Sequence, residues 1–394
     1  MVKKWSHILC AAVCAIILAS CTREITETPG IRRVFLMYSA AFSNLSSNIH
    51  NNEEQLIDGE LPMLGSDDVL LIYSHHTSQS GVYAIPTNPI LCRVFKGPMG
   101  EERKDTLIVY PETDISASPQ TLRKVLTDVQ ELFPADKYGL LLTSHGKGWI
   151  PPGYTENNSI IFDSAKSTKE LGIEMVDGSG IDVRDLPGAI PMHLEFFIMD
   201  ACLMGCVEVA YELKDKCDYL VFSPTEILSY GMVYTPMLKR LLWTGKADLQ
   251  AVCEDYMAYY KSQSGSYQSA TITLVDLKGM DALAAACAPL TAKYRHALDN
   301  LDRSKIQPYF YNDLHWFYDL RDIFVQAGIS QAELESLDSA LEGCVLYKGA
   351  TESFFGLKME RICGLSSYIP MKERDALNEY YKTLSWNKAI GLIQ

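Results

Sequence analysis

Tyr138-Gly-Leu-Leu-Leu-Thr-Ser-His145-Gly146 and Leu194-Glu-Phe-Phe-Ile-Met-Asp200-Ala201-Cys202 are matched stretches, each a short apolar run that stops at a potentially reactive side chain. Runs this short, rich in Leu, Ile and Phe, suit buried strands of a parallel sheet. In open α/β sheets function gathers beyond the carboxyl ends of the strands. Two neighbouring strands of this kind would therefore deliver a histidine and a cysteine to one edge. A thiol beside an imidazole is the minimal apparatus for nucleophilic acyl transfer. Taken singly, neither residue says much, because cysteine is among the most buried residue types and a lone strand-end cysteine is usually core. The pair says more. Gly146 follows the histidine and Ala201 precedes the cysteine, and both suit a crowded turn where backbone N–H groups approach a substrate oxygen.

Outward from this pair the pattern alternates. Strands are predicted at 34–38, 69–74 and 107–110, and an amphipathic helix over 118–133 with Ser118 as N-cap and Pro119 in its first turn. The two matched strands follow at 138–144 and 194–199, then a helix to about 214, a strand at 220–223 and helices over 234–242 and 247–262. Such alternation predicts an α/β fold, a mostly parallel sheet flanked by helices on both faces. Past the polar stretch Ser262-Gln-Ser-Gly-Ser-Tyr-Gln-Ser269 the pattern changes to a strand at 270–276 and several helices, one over 279–299. A soft boundary near 265 thus divides a core, 31–265, from a C-terminal α/β subdomain, 266–394, that completes the fold.

The first twenty residues read as a targeting segment rather than as fold. Lys3 and Lys4 precede an apolar stretch from Ile8 to Ala19, and Leu18-Ala19-Ser20-Cys21 resembles a bacterial lipobox. Cleavage before Cys21 and lipidation of its thiol would place an exported lipoprotein on a membrane, outside the cytoplasm, on the periplasmic or cell-surface face, with 21–30 as a polar tether. An uncleaved anchor or an ordinary secretory signal is the competing account. Removing 1–20 deletes two lysines and no acids, taking the formal charge from −14 to −16. An acidic chain argues against a nucleic-acid partner and suits basic substrates. Of eleven cysteines, Cys10, Cys14 and Cys21 belong to this segment; the other eight show no Cys-x-x-Cys metal spacing. Export permits disulfides. Cys202 and Cys206 lie four apart, on one face if a helix follows the strand, with Cys206 taken as a packing residue.

The His145-Gly146 and Asp200-Ala201-Cys202 pair resembles the dyad of the clostripain family of cysteine peptidases, whose fold is shared with caspases, gingipains and legumain. Asp200-Ala-Cys-Leu-Met-Gly-Cys-Val-Glu-Val-Ala-Tyr-Glu-Leu213 is close to that family's wording around the nucleophile. Ala270-Thr-Ile-Thr-Leu-Val-Asp276 and Gly364-Leu-Ser-Ser-Tyr-Ile-Pro370 resemble two of its later strands, and Phe35-Leu-Met-Tyr-Ser-Ala-Ala-Phe-Ser-Asn-Leu45 its opening strand and loop. The resemblance implies a caspase-like fold and an endopeptidase with Cys202 as nucleophile and His145 as its acid–base partner. It places the oxyanion hole at the N–H groups of Gly146 and Cys202. It also puts Asp200 at the floor of the S1 pocket, pairing with Arg or Lys at P1, since a carboxylate holds a guanidinium in bidentate fashion. The other reading of Asp200 is a turn carboxylate satisfied by backbone N–H groups. Ser223 to Tyr234 corresponds to a pocket loop in which Glu226 is the only acid and Met232 stands where relatives carry Trp, a departure that leaves the P1 preference open.

Relatives often mature by cutting themselves between the two catalytic strands. By that resemblance self-cleavage is expected after Lys166 or Lys169 in the polar 157–180 segment; an ordinary surface loop with solvated lysines is the commoner account of such a stretch. The chemistry requires no cofactor or metal, although calcium assists some relatives. His75-His76 lacks carboxylate or thiol spacing nearby and reads as a loop pair rather than a metal site. The aromatic and acidic 309–322 segment suits helix packing more than a substrate groove, while Trp149 and Pro151-Pro152-Gly153 are placed to shape the mouth of the cleft. Two other functions stay open. One is a peptide- or glycan-binding lipoprotein that has lost catalysis, against which the intact His145 and Cys202 argue; the other is a transpeptidase or amidase using the same thioester.

Overall fold

The structure, a computed structural model, describes residues 30–76, 87–154, 180–310 and 316–394. Ile31–Gln394 form one compact unit. At its centre are strands β1 (Ile31–Ala40), β2 (Asp68–His75), β3 (Ile90–Lys96), β4 (Glu102–Val109), β5 (Ala135–Thr143), β6 (Leu194–Asp200), β7 (Cys217–Phe222) and β8 (Thr271–Asp276). A two-residue strand, β9 (Tyr318–Asp319), lies outside the sheet, and β10 (Val345–Ala350) closes it. The order is β10-β8-β7-β6-β5-β1-β2-β3-β4. The five middle strands run parallel, whereas β3 and β4 on one side and β8 and β10 on the other are antiparallel.

The apolar runs become buried strands because both faces of the sheet are covered. Successive side chains of a strand point to opposite faces. Accordingly Val34, Leu36 and Tyr38 pack into one apolar layer with Leu122 and Val125 of the helix Pro119–Leu132. Phe35 and Met37 pack into the other, with Leu238 and Leu241 of the helix Met237–Leu241 and Tyr256 of the helix Leu249–Ser262. The expected cap is present, with the Ser118 side chain accepting from the Thr121 N–H ahead of Pro119. Among the described residues no helix is long and apolar enough to cross a membrane.

The sheet runs across residue 265, because β8 pairs with β7 and β10 with β8; what changes there is strand direction. Several expectations need correction. No helix follows β6 directly. The chain turns through 201–206 and the helix Val207–Glu212 starts with Cys206 at its N-cap, so Cys202 and Cys206 do not share a helix face. The long helix near 279–299 is two pieces, Met280–Lys293 and Arg295–Leu298, with Pro289 inside the first. Of the 364–370 segment only Ser366–Ser367 is extended, and it pairs with β9 rather than joining the sheet. Trp149 is not at a cleft mouth; it is fully buried against Tyr368 and Tyr381. All eight cysteines of the described residues are buried, and none forms a disulfide.

Candidate active site

Parallel pairing sets the site. Thr143 of β5 stands opposite Asp200 of β6, so His145 and Cys202 each lie two residues beyond the same rung, at the carboxyl edge. The loops after β1, β2 and β7 open on that edge too, because those strands run in the same direction. Gly146 closes the gap between the two reactive segments. A Cβ there would lie 2.2 Å from the Cys202 carbonyl oxygen and 2.6 Å from its nitrogen, so the two backbones touch and no side chain fits between them.

The turn carrying the cysteine is tied on several sides. Leu203 N–H donates to the Thr225 carbonyl at 2.9 Å, Gly205 N–H to the Ser223 carbonyl at 2.7 Å, and Ser366 N–H to the Gly205 carbonyl at 3.0 Å. Gly205 passes so close to Pro224 that a Cβ would meet its nitrogen at 2.3 Å. Leu203 adopts φ +62°, a left-handed conformation that costs a bulky L-residue about 1–2 kcal/mol. Such strain persists where the surroundings over-determine it, as the three hydrogen bonds do here. Behind the turn, the buried Glu208 carboxylate accepts from Ser367 Oγ, Tyr368 N–H and Tyr381 OH.

The Cys202 thiol is 0% exposed. Its Sγ accepts from the Ile227 N–H at 3.2 Å and its S–H donates to the Ile227 carbonyl at 3.6 Å. His145 is buried as well, and its Nε2 lies 2.7 Å from Asn44 Oδ1. This contact, with Asn44 Oδ1 as a hydrogen-bond acceptor facing Nε2, orients the imidazole ring. Asn44 was not singled out in the sequence; its one signal was its position in the loop after the strand that pairs with β5.

Asp200 is fully buried on the opposite side of its strand from Met199. Its Oδ2 accepts from Thr143 Oγ1 at 3.1 Å and from the Tyr234 hydroxyl. Burial, then the Asp200 charge, pushes the Tyr234 phenol well up, so it stays a donor. Glu226, also buried, directly precedes the residue that covers the thiol. The loop bearing it is fastened by a hydroxyl cluster, with Ser223 Oγ and Thr225 Oγ1 each 2.8 Å from Thr271 Oγ1. Lys166, Lys169 and Cys21 lie outside the described residues.

His75 and His76 do not act as a simple loop pair. His75 Nδ1 meets Ser116 Oγ at 2.9 Å and its ring stacks on Phe42. His76 meets Glu53 and His50, supplied by the distant helix Ser46–Ile57. Among the described residues this is the one cluster of three or more His, Cys, Asp or Glu side chains able to share an ion. Two imidazoles do not suit calcium, which takes six to eight oxygen ligands.

The sequence profile of the clostripain family (peptidase family C11) matches residues 38–389. The chain belongs to the clostripain family of cysteine peptidases. Its substrates are accordingly peptides or proteins. Solved clostripain-family structures match it over nearly their whole length. The inactive zymogen of a C11 protease from Parabacteroides distasonis is 28% identical with a TM-score of 0.75, covering 92% of this chain and 99% of that one. A secreted C11 cysteine protease from Bacteroides thetaiotaomicron, iotapain, is 22% identical with a TM-score of 0.75 and the same coverage. A secreted C11 cysteine protease from the same organism, in complex with an irreversible peptide inhibitor, is 23% identical with a TM-score of 0.73, covering 91% of this chain and 98% of that one. No curated protein matches the chain in sequence.

Proposed function

We propose that the chain is an endopeptidase in which Cys202 and His145 form the catalytic dyad and cleavage follows Arg or Lys. The observation that carries this is the backbone contact between Gly146 and Cys202, which brings the histidine and cysteine segments together at one edge. The Cys202 S–H proton passes to His145 as the sulfur attacks the scissile carbonyl carbon, and the carbonyl electron pair moves to oxygen. The N–H groups of Gly146 and Cys202 stabilise that oxyanion. Collapse breaks the C–N bond, and the leaving amine takes a proton from His145. Water, deprotonated by His145, then attacks the thioester, releasing the carboxylate and restoring the thiol. Because Ile227 covers the sulfur, its main chain must move aside before a carbonyl carbon can reach Sγ.

A panel of fluorogenic peptides differing only at P1 tests this reading. Turnover is expected after Arg and Lys, and Asp200→Asn should lower kcat/KM for those peptides by roughly 10- to 100-fold, the worth of a charged hydrogen bond, while sparing others. A different P1 preference would keep the dyad and remove Asp200 from the pocket. Silence across the panel, before and after trypsin treatment, would favour a protein that binds peptides without cutting them.

Asn44 acts on this reaction through His145, as a positioning residue. Asn44→Ala should lower kcat by up to about 10²-fold, the cost of misplacing a catalytic group, with little change in KM and a shifted pH profile. Asn44→Asp should restore part of the rate, because an acceptor again faces Nε2. Equal rates in wild type and Asn44→Ala would remove it from the machinery.

Residues 1–20 are proposed to direct export and Cys21 to carry the lipid anchor, on the pattern Leu18-Ala-Ser-Cys21. Cys21→Ala should move the protein from the membrane to the soluble fraction of fractionated cells. Membrane association unchanged by that substitution would leave an uncleaved anchor as the better account.

A further inference from the structure

The carboxyl edge holds a second group of reactive side chains that the proposed peptidase chemistry does not use. His50 and Glu53 lie one turn apart on the helix Ser46–Ile57, so they project from the same face. His76 follows β2 and brings its Nε2 to 3.1 Å from Glu53 Oε1. Candidate ligand atoms of His50, Glu53 and His76 all lie within 4.8 Å of one another, and the two imidazole rings meet edge to face at 5.5 Å. We propose that these three side chains bind one divalent transition-metal cation of the zinc class.

The donor set decides the class. Two imidazole nitrogens and one carboxylate oxygen suit Zn²⁺, Co²⁺ or Ni²⁺. Tetrahedral ligands at about 2.0–2.1 Å from a metal stand roughly 3.3 Å apart. Glu53 and His76 already have that separation, and His50 must move by about 1.5 Å at most. It can do so, because its side chain is 59% exposed. The other two ligands are held in place. Glu53 is 3% exposed and accepts from Ser74 Oγ at 2.7 Å. Ser46 Oγ lies 3.3 Å from His76 Nδ1, a partner on the far ring nitrogen of the kind that orients metal-bound histidines. The His76 carbonyl is pinned by the N–H and hydroxyl of Thr87. The open side at His50 leaves a fourth position for water or for Glu54, whose Oε1 is 3.3 Å from His50 Nε2.

The site also adjoins the dyad along the chain. Ser46, which touches His76, is two residues from Asn44, which holds His145. A cation joining the start of this helix to the end of β2 would stiffen the base of that loop.

Zn²⁺ titration calorimetry on the mature chain carrying Cys202→Ala, which removes the strand-end thiol as a competing ligand, tests the proposal. One Zn²⁺ per chain is expected. His50→Ala and His76→Ala should each weaken binding at least about tenfold, while His193→Ala, at the opposite edge beside Asp218, should leave it unchanged. Because His50 is exposed, His50→Ala should keep its metal-free melting temperature, which separates lost binding from lost fold. Co²⁺ should give visible d–d bands without a sulfur-to-cobalt charge-transfer band. No binding at millimolar Zn²⁺, affinity unchanged by His50→Ala, or a charge-transfer band would each overturn the proposal.

Discussion

Cys202→Ala is expected to abolish peptide hydrolysis, lowering kcat by about 10⁴- to 10⁶-fold, as removal of a nucleophile does in other covalent acyl-transfer enzymes. Cys206, the other thiol of this turn, is fully buried at the start of the helix Val207–Glu212, and burial pushes it well above the usual thiol range. Residues that act as one unit are grossly non-additive, so His145→Ala should cost nearly as much, and the double variant little more than either alone. Both substitutions remove atoms from a buried site, so circular dichroism and thermal unfolding must accompany the kinetics. A folded Cys202→Ala protein that still cuts the same peptides at more than about a hundredth of the wild-type rate would mean that another group does the chemistry.

Gly146→Ala is the second large effect, and it comes from one added methyl group. A Cβ at 2.2 Å from the Cys202 carbonyl oxygen and 2.6 Å from its nitrogen meets main chain rather than a pliable side chain. Something must shift, and what shifts is the spacing of the two N–H groups assigned to the oxyanion. Losing one such donor costs about 10²- to 10³-fold in kcat, and the overpacking itself about 1–3 kcal/mol of stability. The expected pattern is a collapse of kcat with KM nearly unchanged and a modest fall in melting temperature. A variant that stays folded with kcat within threefold of wild type would sink the oxyanion assignment.

Much of the architecture was legible in the chain because its middle strands are buried on both faces. A run such as Phe35-Leu-Met-Tyr can only be a central strand or a buried helix, and the flanking turns settle which. Ser118 announced its helix because capping is local chemistry. The outer elements were less readable. β4 was read only at its apolar end, 107–110, because its first half is exposed and polar, and β3, which pairs with both β2 and β4, was not read as a strand. The turn after Cys202 was read as helix because nothing local marks Leu203 as left-handed; that conformation is imposed by Thr225, Ser223 and Ser366. Sequence spacing brought out His145, Gly146 and Cys202, which sit at strand ends in register. It missed Asn44, and it dismissed His76, because their partners come from segments far along the chain. Trp149 was misplaced for the same reason, since Tyr368 and Tyr381, which enclose it, are more than two hundred residues away.

The ties on the nucleophile turn have an order in time. A ribosome makes the chain from its amino end, and Cys202 emerges when little more than half the chain exists. Its turn is not complete then, because one bracing hydrogen bond comes from Ser366, and one oxygen of the Glu208 carboxyl beneath it takes hydrogen bonds from Ser367, Tyr368 and Tyr381. No nascent chain shorter than these residues contains every partner that shapes the turn. The cutting edge is thus assembled only after residues 366–381 have left the ribosome, and a product terminated before them lacks the parts that position its own thiol.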